Sequence, residues 1–231
     1  MWRQYYGPSS SNVSGGYIPL ELGKEFRFAF YLPISKRFSL GVGVEYLSGS
    51  KESSLNITEG SELSTFSWNP KIQAYPIFAA IRYNLIDGKA INIFLEISAQ
   101  YIFARYSDTQ HLSSLGDIVD EYKTTGKGFG YSGGIGVEYF LIKNISFTIE
   151  SHYRYAQIPK MSGELASRWG SLIENSSGTL WSLDIKGTEN DVFNIILLSK
   201  EKPSGSDFQN VHETRLNLGG FRLSAGLAIH F

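Results

Sequence analysis

The stretch GGFRLSAGLAIHF, residues 219–231, alternates strictly. Phe221, Leu223, Ala225, Leu227, Ile229 and Phe231 fall on one side, and Arg222, Ser224, Gly226, Ala228 and His230 on the other. Side chains of a strand point alternately to its two faces, so one face here is apolar and the other is small or polar. A soluble strand would turn the apolar face into a core. A barrel strand in lipid reverses this, with apolar residues outward and polar ones inward.

Six further segments share the pattern. Within 18–32, Ile18, Leu20, Leu22, Phe26, Phe28, Phe30 and Leu32 share a face that only Lys24 interrupts, opposite residues that include Glu21, Glu25, Arg27 and Tyr31. Segments 38–46, 75–83, 91–101, 129–139 and 145–155 alternate likewise, and no sustained helical period appears. Short turns at 33–36, 85–90 and 142–144 are expected to alternate with long polar loops at about 49–70, 107–127 and 159–214. Tight turns on one side and long loops on the other are a feature of outer-membrane barrels. The apolar faces are bracketed by aromatics, as in Tyr75 to Tyr83 and Tyr131 to Tyr139. Lys24 falls near the expected outer rim, where its ammonium could snorkel toward water. A soluble sandwich or lipocalin-like barrel fits less well, because the small-residue face could not cover so large an aromatic one.

Composition agrees with a β-rich chain. The 231 residues include 14 Tyr, 15 Phe and 24 Gly. A net charge of −1 makes no electrostatic case for nucleic acid, and the absence of cysteine excludes disulfides and thiolate sites. No apolar run reaches the roughly 18 residues of a spanning helix. Met1 is followed by WRQYYGPSS, without the basic and apolar regions of a secretion signal.

Seven strands are an odd number, whereas bacterial single-chain barrels have even counts. The expectation is therefore a single all-β domain over 1–231, a transmembrane antiparallel up-and-down barrel of eight strands. WRQYY would be the top of a first strand whose lower part, with the signal, lies upstream. A ten-strand alternative uses TLWSLDIK (179–186) and VFNIILLS (192–199) as a further hairpin. That pair reads better as a hairpin within the 159–214 loop, because Ile196 and Leu198 would otherwise crowd the interior.

On this pattern the chain resembles the small outer-membrane β-barrels of the OmpA, OmpX and OmpW type, over nearly its whole length. The closest point of resemblance is the final strand, with Gly220-Phe221, alternating apolar residues and Phe231 last. The resemblance implies a place in the bacterial outer membrane, contact with its lipid, and recognition of Phe231 by the barrel-assembly machinery. A structural or surface-binding role is the primary expectation. OmpW-like passage of small apolar molecules and a lipid-modifying enzyme are the alternatives, and no surface ligand is identified.

The inward faces collect Glu25, Arg27, Glu45, Arg82, Glu96, Glu138, Glu150, His152, Arg154 and Arg222. These could form a proton or ion path. A charge-paired plug is the simpler reading, since an unpaired charge in a water-poor interior is costly. No catalytic, cofactor or metal motif appears. Ser151 and His152 are adjacent, so they point to opposite faces and cannot act as nucleophile and base. GFGYSGGIG at 128–136 reads as strand glycine rather than a phosphate loop.

Overall fold

The computed structural model describes residues 12–16, 23–59, 62–113, 117–186, 192–206 and 208–230. The described residues form one antiparallel sheet of β1 (Asn12–Gly16), β2 (Lys24–Pro33), β3 (Phe38–Ser50), β4 (Ser53–Glu59), β5 (Glu62–Trp68), β6 (Lys71–Asp87), β7 (Ile91–Ser113), β8 (Ile118–Ile142), β9 (Ile145–Ile158), β10 (Met161–Trp169), β11 (Leu172–Lys186), β12 (Val192–Ser199), β13 (Phe208–Glu213), β14 (Leu216–Asn217) and β15 (Gly220–Ile229).

The sheet has two tiers sharing β7 and β8. In the lower tier the order is β2-β3-β6-β7-β8-β9-β15, all antiparallel neighbours. This tier contains the seven alternating segments, except that residues 18–22 and Phe231 lie outside the described residues, as does WRQYY. In the upper tier β7 and β8 continue past their lower neighbours. β5 pairs with the end of β7 and leads to β4 and β1, while β10 pairs with the start of β8 and leads to β11 and β12.

Long loops were expected at about 49–70, 107–127 and 159–214, and strand occupies most of these segments. Residues 107–113 and 118–127 lack an apolar alternation, yet they pair in continuous register from Ser107↔Lys123 to Leu112↔Ile118. Backbone hydrogen bonding needs no apolar stripe, so a polar ribbon persists once each strand has a partner. Between 159 and 214 the chain forms β10 to β13. The segments 179–186 and 192–199 pair with each other as β11 and β12, and add no hairpin to the lower tier. Gly170, with φ +57°, forms the turn between β10 and β11.

The lower tier is rolled up. Its end strands β2 and β15 would stand about 29 Å apart in a flat seven-strand sheet. Instead, the Arg222 guanidinium hydrogen-bonds the Glu25 carboxylate, joining the two end strands. No ladder joins β2 to β15 among the described residues. Six antiparallel steps separate these strands, so they run in the same direction.

The polarity of this tier is inverted relative to a soluble core. Phe26, Phe28, Leu223 and Leu227 are 68–75% exposed, whereas Glu45, Glu96 and His152 are 1–3% exposed. The apolar faces point outward and the charged faces inward.

Candidate functional site: a charged belt beneath an apolar cap

Side-chain direction within each strand places the belt. On β7 the inward residues run Asn92, Phe94, Glu96, Ser98, Gln100, Ile102 and Ala104, all buried. On β9 they run Ser146, Thr148, Glu150, His152, Arg154, Ala156 and Ile158. The β9 series passes from polar to charged to apolar, and the β7 series places Glu96 between Phe94 and the polar pair Ser98 and Gln100 before ending on apolar Ile102 and Ala104. The ladders align them, with Gly134 opposite both Glu96 and His152, Arg82 opposite Glu96, and Arg27 opposite Glu45.

Four guanidinium groups and four carboxylates form one connected network. Arg27 donates to Glu96 at 2.5 Å and to Glu150 at 3.0 Å, and its Nε lies 3.5 Å from Glu45. Arg82 donates to the same two carboxylates, Glu96 at 3.0 Å and Glu150 at 3.1 Å. Arg154 donates to Glu45 at 2.6 Å and Glu25 at 3.1 Å, while Arg222 donates to Glu45 at 2.8 Å and also to Glu25. Glu45 therefore links the two halves of the belt. His152 is buried at its edge, with Nε2 3.3 Å from Glu150. Arginine suits this role, because one planar group serves two or three carboxylates in fixed directions.

Three aromatic residues complete the belt without having stood out as site residues in the sequence. The Tyr31 hydroxyl donates to Glu96 at 2.5 Å, and its ring lies 4.0 Å from the Arg82 guanidinium. The Phe94 ring lies 3.7 Å from the same Arg82 guanidinium, and the Phe78 ring 4.4 Å from that of Arg27. Their parity with Arg27, Arg82 and Glu96 is the sequence signal that places them inward. Contacts between an arginine and an aromatic face add to ion pairing where water is scarce.

Glu138 stands apart from the belt, near the tight turns. It accepts hydrogen bonds from Ser146 at 2.5 Å and Asn92 at 3.2 Å, and His230 Nε2 lies 3.0 Å away. The Ser146 hydroxyl is also 2.9 Å from His230 Nε2. Serine, histidine and carboxylate thus meet, but in the wrong arrangement for a relay. One ring nitrogen faces both partners, whereas a relay needs the acid on one nitrogen and the nucleophile on the other. Ser146 is also fully buried. No metal-binding group of His, Asp and Glu occurs among the described residues.

Above the belt the interior becomes an ordinary apolar core. Ala74, Ile102, Ala104, Ala156 and Ile158 from the lower strands pack with Met161, Leu180 and Leu198 from the upper tier. Tyr122 packs against this cap, where burial, followed by nearby Asp120 and Asp108, pushes its phenol up to about 12. Segment 159–214 therefore supplies the cover of the interior as well as surface structure.

Comparison with protein-family models, with curated proteins and with solved structures returns no match.

Proposed function

We propose that this chain is a small bacterial outer-membrane β-barrel, with a structural or cell-surface binding role and an interior plugged by charge pairs. The carrying observation is the inverted polarity of the lower tier. Exposed Phe26, Phe28, Phe30, Phe221 and Leu223 surround buried Glu45, Glu96, Glu150 and Arg154. In water such an arrangement forfeits the hydrophobic driving force, whereas in lipid it puts each face in a favourable solvent. On this reading β2 and β15 are joined through an eighth strand. A strand antiparallel to both edges satisfies each. Phe231 would act as the assembly signal.

The interior supports a plug over a passage. Eight strands leave an interior just wide enough for side chains to fill, and the belt and cap supply those side chains. Small apolar molecules would have to cross paired charges, which disfavours OmpW-like transport. The Ser146–His230–Glu138 geometry gives a lipid-modifying enzyme no relay.

Membrane fractionation tests the proposal. The protein should sediment with outer membranes, resist extraction by salt and alkali, and migrate faster on gels when left unheated. Recovery as a soluble protein of heat-independent mobility would reject it.

A further inference from the structure

Four cations stand on the outward face at the aromatic end of the apolar band, with Lys127 in the ladder row of Phe103, Lys24 and Arg105 one outward row above it, and Lys71 two above. Lys24, Lys71, Arg105 and Lys127 are all exposed. Arg105 pairs in register with Gln73 and Thr125, Gln73 with Ser48, and Ser48 with Lys24, so one ladder row carries Lys24 and Arg105. Lys71 lies two residues above Gln73 on β6, and Lys127 two residues beyond Thr125 on β8. The next outward row contains Phe26, Tyr46, Tyr75 and Phe103 with Lys127 itself, and the Tyr46 and Tyr75 rings are 5.4 Å apart. Lys127 Nζ lies 5.5 Å from the Phe103 ring. None of the four cations has a carboxylate ion-pair partner among the described residues, in contrast to the ion-paired arginines inside.

We propose that Lys24, Lys71, Arg105 and Lys127 form a collar that binds the phosphate groups of phosphorylated lipid headgroups, a proposal that rests on the membrane reading above. Unpaired cations over an aromatic row are complementary to a layer of anionic headgroups over acyl chains. Lys71, Arg105 and Lys127 occupy three consecutive strands and step along the face by two residues from each to the next, so neighbours are diagonal, about 7–8 Å apart at the backbone, and their long side chains can reach one phosphate. At the opposite end Lys36, Lys89 and Lys143 sit on separate hairpin turns two strands apart, about 10 Å or more, and Arg37, beside Lys36, donates to the Tyr83 hydroxyl at 3.2 Å.

The test uses the full chain in nanodiscs of phosphatidylcholine containing a minor fraction of phosphatidic acid, whose headgroup is a phosphate monoester. Native mass spectrometry reads the phosphatidic acid retained by the protein. The unaltered chain should enrich it, and the variant K24Q/K71Q/R105Q/K127Q should lose about fivefold for each cation removed at low salt. The turn-side variant K36Q/K89Q/K143Q should stay within about twofold of the unaltered chain. Equal losses in the two variants, or no loss in the collar variant, would overturn the collar while leaving the membrane reading intact. Failure to insert into pure phosphatidylcholine nanodiscs would overturn the membrane reading, and the collar with it. Inorganic phosphate in excess should not displace the lipid; displacement would assign the site to free phosphate and refute the lipid proposal.

Discussion

Arg27 is the residue on which the interior most depends, because among the described residues it alone contacts Glu45, Glu96 and Glu150. Removing it leaves carboxylates buried with fewer counter-charges, which costs about 3–5 kcal/mol for a buried pair broken from one side. Arg27→Ala should therefore lower the unfolding free energy in detergent by about that amount. Leu223→Ala, on the 72% exposed outward face, should change it much less. Equal losses in urea titrations would show that the belt contributes no more than an outward leucine. Glycine offers a second contrast on β8. A Cβ at Gly136 would lie 2.2 Å from the Phe94 ring, whereas at Gly133 its nearest neighbour is 3.8 Å away. Gly136→Ala should cost about 1–3 kcal/mol through overpacking, with Gly133→Ala near neutral in the same titration.

At the scale of elements, the ladders change what the polar segments expose. Residues 107–113 and 118–127 are paired strand, and β10 covers the start of β8 from Met161↔Gly126 to Trp169↔Ile118. Proteases need several extended, unpaired residues, so Arg105 and Lys123 should resist trypsin. Lys200, exposed in the irregular stretch after β12, should be cut first when trypsin is added to intact cells, whereas the Lys202–Pro203 bond resists trypsin. Lys89 and Lys143, in the tight turns at the opposite end, should be protected. Primary cleavage at Lys89 or Lys143, mapped by mass spectrometry, would reverse the proposed orientation.

For the whole molecule, the predicted property is impermeability. The belt crosses the interior of the rolled sheet, linking β2, β3, β6, β7, β9 and β15, and the apolar cap lies above it. Protein reconstituted in planar bilayers should show no large, steady conductance. Loosening the belt with Arg27→Ala together with Arg82→Ala should raise the frequency of brief openings. A stable porin-sized conductance in the unaltered chain would mean an open interior.

Alternation made the lower tier legible because side-chain direction is a local property of a strand. Arg222 and Leu223 must face opposite ways whatever the rest of the chain does. The tight turns were legible as breaks in the alternation, although strand runs into the expected 85–90 and 142–144 turns as far as Asp87 and Ile142. The partners of each charge were not, since Arg222 and Glu25 are 197 residues apart and meet only because the sheet rolls. Parity put Phe78 and Phe94 inside, but their places beside Arg27 and Arg82 depend on register between strands. The upper tier was hidden for a different reason. Stretches such as 118–127 bury too few apolar side chains to leave a periodic trace, and their strand form comes from backbone pairing with a neighbour that the rest of the fold brings alongside. Local sequence thus determined the faces, and the long-range rolling of the sheet determined which groups on those faces meet.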